Sequence, residues 1–337
     1  MVKRSWLSGM LMLLIISLST LFFLQGCGSK EAVSDKAEVT KELMPIYTAG
    51  SGGAAYILGG GIASIANKYI PELNLVAEAS TGSLGMVQLM DDRSKQGKGA
   101  FAVIASDGVY NGYNGQNEFK QAYPSLRAVS FLYGAELYLV VPQDSSVKSY
   151  ADLKGKRIGV GAPGSTVASL ASLLIEKSGV GKDQYKALPL GYQEVVQGIK
   201  DGSIDGGFLA GAAPVAAYNE LSSSEDVRII PVDEAIAQDI VKNNPYYYQA
   251  KVKAGAYKGI DSDVPVLAFG VLILTNEKAS DDLVYNLIKT LLEKHEELVA
   301  IHKTAQQMTP ETVLTSIGIP IHPGAEKYYK EAGLLKD

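Results

Sequence analysis

From Met44 onward, short apolar runs alternate with longer segments in which apolar residues recur every three to four positions. Runs of the first kind predict buried strands, and the second pattern predicts helices with one buried face. The first series of predicted elements comprises strands at residues 45–49, 73–79, 100–104 and 126–131 and helices at residues 54–69 and 84–90. This alternation of strands and helices predicts an α/β fold with a parallel, doubly wound sheet.

The same alternation begins again further along the chain, which predicts a second lobe. Its predicted elements are strands at residues 137–141, 157–160, 185–189, 204–210 and 227–231 and helices at residues 168–177 and 192–200. A long apolar strand at residues 266–274 and a helix at 281–302, with Ser280 as its N-cap, follow. Two lobes joined by extended crossings near residues 133–139 and 267–272 predict a hinged cleft.

These patterns predict the lobe boundaries. We expect lobe I to comprise residues 44–134 and 268–337, and lobe II to comprise residues 135–267. Each lobe is long enough to bury a core of its own.

The N-terminus has an apolar run at residues 10–24 that is short for a membrane span. It ends in Leu24-Gln25-Gly26-Cys27, which resembles the signal of bacterial lipoproteins. The resemblance implies that residues 1–26 are a cleaved signal peptide, that Cys27 carries lipid, and that residues 27–43 are a flexible tether. The alternative is an ordinary secretory signal or a membrane anchor. Cys27 is the only cysteine of the chain and therefore has no disulfide partner within it.

The formal net charge of −5 becomes −7 without residues 1–26, because that segment contains two cations, Lys3 and Arg4, and no acidic residue. A mildly acidic surface with mixed charges lacks the electrostatic footprint of a nucleic-acid-binding protein. No second apolar run reaches about 18 residues, so we expect no other segment to span a membrane. With the signal, this composition predicts a protein on the outer face of the cytoplasmic membrane or in the periplasm.

Turns rich in Gly, Ser and Thr recur between a predicted strand and the helix after it. In open α/β sheets such turns lie at the carboxyl ends of the strands, where helical amides carry partial positive charge. Several turns of this kind predict a cleft for a small anion, most simply a carboxylate. The alternative is that they only cap helices. The candidate ligand-binding residues are Ser51, Gly52, Gly53, Tyr56, Thr81, Gly82, Ser83, Ser106, Asp107, Tyr110, Gly164, Ser165, Thr166 and Gly211.

The chain lacks the residue patterns of common enzyme sites. It has neither a Gly-x-x-x-x-Gly-Lys-Ser/Thr phosphate loop nor a Gly-x-Ser-x-Gly nucleophile elbow. Its three histidines lie near the C-terminus without metal-ligand spacing, and we interpret His322 as a structural residue in a loop. Arg127, Arg157 and Arg228 lie near the starts of strands, away from the expected ligand edge. We therefore expect no enzyme activity, no metal and no cofactor, and an anion held by backbone amides and hydroxyls.

Six motifs occur in a fixed order along residues 45–329. They are TAGSGGAAY at 48–56, STGS at 80–83, ASDGVYNGYNG at 105–115, DLKGKRIGVGAPGS at 152–165, DGSIDG at 201–206 and IHPGAEKYY at 321–329. Together these motifs resemble those of the TAXI family of solute-binding proteins, the receptors of one branch of TRAP transporters.

The TAXI resemblance implies a type II periplasmic-binding-protein fold, in which two doubly wound lobes close on a ligand about a two-stranded hinge. It implies delivery of the solute to a TRAP membrane permease, driven by a sodium gradient. It also implies small dicarboxylates such as glutamate or 2-oxoglutarate as ligands, and a ligand-lining role for the candidates that fall within the motifs. C4-dicarboxylate TRAP receptors hold the carboxylate with an arginine that has no counterpart here. We expect a lipid-anchored monomer without a nucleic-acid partner.

Two alternatives remain open. An ABC-type binding lipoprotein for an aromatic or sulfonate solute shares the fold and the turn at residues 152–156. An extracytoplasmic sensor or adhesin would use the cleft for signalling or for holding a partner protein. A neighbouring ATPase gene would favour the ABC receptor, and a neighbouring histidine kinase without a permease would favour the sensor.

Overall fold

The computed structural model describes residues 43–48, 53–80 and 82–335. Its strands are β1 (Leu43–Thr48), β2 (Asn74–Ala79), β3 (Phe101–Ala105), β4 (Leu126–Pro142), β5 (Arg157–Gly159), β6 (Lys186–Leu188), β7 (Gly206–Gly211), β8 (Val227–Ile230), β9 (Tyr247–Val252) and β10 (Val264–Asn276). Its helices are α1 (Ala54–Tyr69), α2 (Ser83–Lys95), α3 (Ser106–Asn114), α4 (Thr166–Lys177), α5 (Tyr192–Lys200), α6 (Ala216–Ser224), α7 (Glu234–Asn243), α8 (Asp281–Glu293), α9 (His295–Ile301) and α10 (Pro323–Glu331). The predicted α/β class is confirmed.

The strands form one mixed sheet in the order β2-β1-β3-β10-β4-β7-β5-β6, with β8 also paired to β4 and β9 to β10. The prediction of a parallel sheet is wrong, because β10 pairs antiparallel with β3, β4 and β9, and β4 pairs antiparallel with β7 and β8. The predicted strands at 126–131 and 137–141 are parts of the single 17-residue strand β4. Because β4 returns beside the long strand β10, the middle of the sheet is antiparallel.

Two sets of parallel strands run toward each other in this sheet. β1, β2 and β3 are parallel, and β3 ends at Ala105. Ala105 pairs with Val271 of β10, and Val271 pairs in turn with Tyr133 of β4. β5, β6 and β7 run the opposite way, and β7 ends at Gly211, opposite Glu136 of β4. The carboxyl ends of both sets therefore meet at the segment between Tyr133 and Glu136.

Both sets of strands contribute to one hydrophobic core. A cluster of buried side chains includes Leu58 of α1, Val103 of β3, Leu139 of β4 and Phe208 of β7. This packing holds α1, which begins near the central end of β1, against the sheet. The division into lobes at residues 134 and 268 stays a prediction.

The helix predicted at residues 281–302 is two helices. Lys294, between α8 and α9, has φ −107° and ψ 23°, which ends the regular helical hydrogen bonding. After α9, His322 caps α10, because its Nδ1 accepts a hydrogen bond from the Gly324 amide at 3.2 Å. His322 is thus structural, as interpreted, and it is the extended residue directly before α10.

Ser280 is the N-cap of α8, as predicted, since its Oγ accepts a hydrogen bond from the Leu283 amide at 3.3 Å. Ser280→Ala is expected to lower the free energy of unfolding by about 1 kcal/mol, because this amide loses its partner. Ser280→Thr keeps the hydroxyl and should lose less. Urea unfolding followed by circular dichroism measures both variants, and equal losses would contradict the capping role.

Candidate functional site

Helices α1 and α2 begin at the central ends of β1 and β2 without a side-chain cap. Gly53 precedes α1 with φ −86° and ψ 158°, and Gly82 precedes α2 with φ 110°. The first amides of a helix have no carbonyl partner within the helix, and glycine offers no side chain to accept from them. Both helices therefore direct backbone donors toward the middle of the sheet.

The turns before α2 and α4 lie next to each other, although they follow strands of opposite sets. A Cβ atom on Gly82 would lie 3.7 Å from the carbonyl oxygen of Gly164. Both glycines have positive φ, 110° and 71° respectively, which L side chains rarely adopt. The close approach brings the N-terminal turns of two helices to one place.

Some predicted site residues have no described position. The lipidation candidate and three ligand-binding candidates lie outside the described residues: Cys27, Ser51, Gly52 and Thr81.

Ser83, the first residue of α2, is buried against α3. A Cβ on Gly108 would lie 2.4 Å from the Cβ of Ser83, so only glycine permits this approach. Among the described residues no group hydrogen bonds to the Ser83 hydroxyl. Its hydrogen therefore has no acceptor among these residues.

Ser106 is held by backbone groups of β10 and of the turn directly before β9. Its Oγ donates to the carbonyl oxygen of Tyr246 at 3.0 Å and accepts from the amide of Gly270 at 3.1 Å. The single hydroxyl hydrogen is used in the first of these bonds. In this arrangement Ser106 fixes the end of β3 and does not donate to a ligand.

Asp107 is buried beside residues of the second half of the chain. Its Oδ1 accepts a hydrogen bond from Thr166 Oγ1 at 2.7 Å, and its Oδ2 accepts one from Tyr247 Oη at 3.4 Å. Burial raises the pKa of Asp107 to about 6, although the bonds from Thr166 and the Gly108 amide oppose the increase. Both carboxylate oxygens are occupied by these neighbours.

The sequence predicts that the hydroxyls of Ser165 and Thr166 either cap a helix or donate to a ligand. Ser165 Oγ accepts from the Ala168 amide at 3.2 Å and donates to the Ala162 carbonyl at 2.7 Å, so it caps α4. The Thr166 hydroxyl hydrogen is donated to Asp107. Of the two predicted roles, Ser165 therefore has the capping role, and the Thr166 hydroxyl donates to a carboxylate of the protein itself.

The remaining candidates lie around the same region. Tyr56 is half-buried, one turn into α1. The ring of Tyr110 lies 5.1 Å from that of Tyr246, centroid to centroid. Gly211 ends β7, and its carbonyl accepts a hydrogen bond from Tyr138 Oη at 2.9 Å.

The arginines lie at the strand starts, as predicted, and have partners there. Arg157 is 2.9 Å from Asp205 Oδ1, and Arg228 donates to the Val147 carbonyl at 2.5 Å. Arg127 donates to the Pro124 carbonyl at 2.6 Å. These guanidinium groups are therefore engaged at the outer ends of the strands.

Tyr246 and Tyr247 are site residues that sequence reasoning did not name. Both are buried at the start of β9, where Tyr246 contacts Ser106 and Tyr247 contacts Asp107. Their signal in the sequence is the run of tyrosines at 246–248, within a chain that has 19 tyrosines. No pattern in the sequence pairs this run with the turn after β3.

Within residues 43–48, 53–80 and 82–335, no three His, Cys, Asp or Glu side chains come together as a group that could hold a metal ion. Among the same residues, no helix is both long and apolar enough to cross a membrane.

Comparison with known families adds a decisive observation, since a protein-family model described as NMT1-like matches residues 46–333. The chain belongs to the NMT1-like family. The match includes every turn described above, whereas residues 1–45, which contain Cys27, and residues 334–337 lie outside it. The site is therefore part of the region that defines family membership.

Solved structures with a similar fold also match this NMT1-like chain. XAC2383 from Xanthomonas citri, solved with bound ATP, has a TM-score of 0.53 at 12% identity, covering 87% of this chain and 96% of that one. The periplasmic aliphatic sulphonate-binding protein SsuA from Escherichia coli has a TM-score of 0.47 at 14% identity, covering 86% and 78%. A TctC solute-binding protein from Polaromonas has a TM-score of 0.49 at 14% identity, covering 87% and 98%. At 12% identity the likeness to XAC2383 concerns the fold alone.

Proposed function

We propose that this NMT1-like protein is an extracytoplasmic solute-binding receptor that holds a small anion between two lobes. The observation that carries the proposal is the meeting of two opposed sets of strands at residues 133–136 of β4. Ligands of open α/β folds bind at the carboxyl ends of strands. In this sheet the carboxyl ends of both sets face the same place, with the turns of Gly82 and Gly164 beside each other.

The donors at this place favour an anion. The N-terminal amides of α1 and α2 are not capped by their preceding residues, and the Ser83 hydroxyl has no partner among the described residues. Helix N-termini carry partial positive charge, which stabilises carboxylates, sulfonates and phosphates. Because Arg127, Arg157 and Arg228 are engaged elsewhere, these amides and hydroxyls would hold the anion.

We further propose that the solute is a carboxylate such as glutamate or 2-oxoglutarate and that the receiving partner is a TRAP permease. The TAXI-like motifs at 48–56, 80–83 and 152–165 support this, because they contain the turns before α1, α2 and α4. A lipid anchor at Cys27 would keep the receptor outside the cytoplasmic membrane. An ABC-type receptor for a sulfonate is the second candidate, because helix amides donate hydrogen bonds to sulfonate oxygens as they do to carboxylate oxygens.

A thermal-shift assay tests the ligand class. The purified protein is unfolded and refolded to remove carried-over ligand, and then heated with glutamate, 2-oxoglutarate, succinate, taurine or a neutral sugar. A ligand at about 100 times its dissociation constant adds about 2.7 kcal/mol to the free energy of unfolding. We expect the melting temperature to rise with glutamate or 2-oxoglutarate and to stay constant with the sugar, which is the control.

The outcomes separate the candidates. A shift with taurine alone would contradict the TRAP assignment and favour the ABC-type receptor. The absence of a shift with every anion would contradict the receptor proposal and favour the sensor or adhesin. A shift with the sugar alone would contradict the anion site.

A further inference from the structure

Asp107 connects the two proposed lobes. It belongs to α3 of lobe I, whereas Thr166 and Tyr247, whose hydroxyls face its two oxygens at 2.7 and 3.4 Å, belong to lobe II. The exposed fractions of Asp107, Thr166 and Tyr247 are 3%, 8% and 4%. The hydrogen bonds between the two proposed lobes thus join three side chains that are shielded from water.

Neighbouring contacts follow the same path between the lobes. Ser106 of lobe I donates to the Tyr246 carbonyl of lobe II, and the Tyr110 ring lies against the Tyr246 ring. Opening of the cleft would break these contacts together with those of Asp107. In the described structure, the hydrogen bonds of Ser106 and Asp107 thus join the two proposed lobes in addition to the shared strands β4 and β10.

We propose that Asp107, Thr166 and Tyr247 form a latch that holds the closed receptor and becomes stronger as the pH falls from 7 to 5. The inference rests on the proposed two-lobed receptor and concerns the regulation of its cleft.

The sign of the pH effect follows from the burial of Asp107. Its pKa is about 6 in the closed form, and exposure to water in an open form returns it to the ordinary value of 3.8. The closed form therefore binds a proton more tightly than the open form. The resulting stabilisation of closure is complete below pH 3.8 and is lost as the pH rises through 6. From pH 7 to pH 5 the ratio of closed to open molecules rises about nine-fold.

The groups around Asp107 agree with this direction. Glu118, after α3, is a second carboxylate whose charge disfavours the ionised form of Asp107, and α4 contributes the neutral Thr166. Tyr246, directly before β9, and Tyr247 of β9 interact with Asp107. Burial raises the pKa of both phenols, so they stay neutral from pH 5 to 7. A protonated Asp107 keeps a carbonyl oxygen that accepts from Thr166 and gains a hydroxyl that donates to Tyr247.

Small-angle X-ray scattering of the purified, ligand-free protein tests the latch at pH 5 and pH 7. We expect a smaller radius of gyration at pH 5 for the wild type. Asp107→Asn keeps the shape of the side chain but does not titrate, so its radius should be equal at the two pH values. Thr166→Val removes one hydroxyl of the latch and should enlarge the radius at pH 7. Asp261→Asn, at an exposed position, is the matched control and should follow the wild type.

Two results would overturn the latch. One is a pH response of Asp107→Asn equal to that of the wild type, which would assign the titration to another group. The other is a radius independent of pH in the wild type together with no change in Thr166→Val. Because the measurement uses no ligand, failure of the latch is distinguishable from failure of the receptor proposal, which the thermal-shift assay decides.

Discussion

Gly53→Asp is expected to weaken the binding of an anionic ligand at least about 100-fold, equivalent to about 2.8 kcal/mol, without unfolding the protein. Gly53 has an extended backbone, φ −86° and ψ 158°, which any residue can adopt. Asp is a favoured N-cap, so its carboxylate would accept from the first amides of α1 and occupy the donors proposed for the ligand. Two like unit charges 4 Å apart near a protein surface repel each other by about 4 kcal/mol. Repulsion between the new carboxylate and the anionic ligand is therefore large enough to account for the expected loss of binding free energy.

Matched variants at the same position separate charge from capping. Gly53→Asn caps the helix without a charge and should lose less affinity than Gly53→Asp, whereas Gly53→Ala adds neither and should bind nearly as the wild type. Isothermal titration with the ligand identified by thermal shift measures all three. Thermal unfolding without ligand checks the fold, and the free energy of unfolding of Gly53→Asp and Gly53→Asn should change by only a few tenths of a kcal/mol. Unchanged affinity in Gly53→Asp would remove the N-terminus of α1 from the site.

Tyr329→Ala should lower the free energy of unfolding by about 3 to 5 kcal/mol. The Tyr329 side chain is fully buried, and its Oη donates to the Val129 carbonyl of β4 at 2.7 Å. The substitution would remove both the packing of α10 against the core and this hydrogen bond. Urea unfolding followed by circular dichroism measures the loss.

Tyr329→Phe provides the control, because it keeps the ring and removes only the hydroxyl. It should lower the free energy of unfolding by about 1 kcal/mol. A loss below 1 kcal/mol for Tyr329→Ala would contradict a supporting role of α10. Equal losses for the two variants would assign the effect to the hydrogen bond alone.

Local patterns predict many of the elements in this chain. The helix at residues 54–69 has the bounds of α1, and the helix at 192–200 has those of α5, because each carries a regular apolar face that ends at a charged or polar segment. The cap Ser280 is likewise a local signal. Apolar periodicity does not predict helices α3, α6 and α7 or strand β9, because their patterns of apolar and polar residues are short or mixed.

The mixed sheet could not be predicted from local patterns. The antiparallel return of β10 beside β4 depends on pairing between residues more than a hundred positions apart, such as Leu137 with Leu267. The candidate site has the same limitation. The sequence indicates that the turn after β3 is polar, but only tertiary contacts place Asp107 against Thr166 and Tyr247 and occupy its oxygens.

β4 and β10 are the two strands that both proposed lobes share, and their ladder has register shifts between Val271 and Leu272 and between Ile273 and Leu274. Sliding one strand along the other would break the whole ladder, whereas bending at a bulge breaks few hydrogen bonds. In the proposed receptor, movement is therefore a rotation about an axis that crosses these strands. Such a rotation opens the cleft on one side of the molecule only. That side is the front of the receptor, and the opposite side is its back. In the proposed transport role, a permease would approach the front to receive the solute.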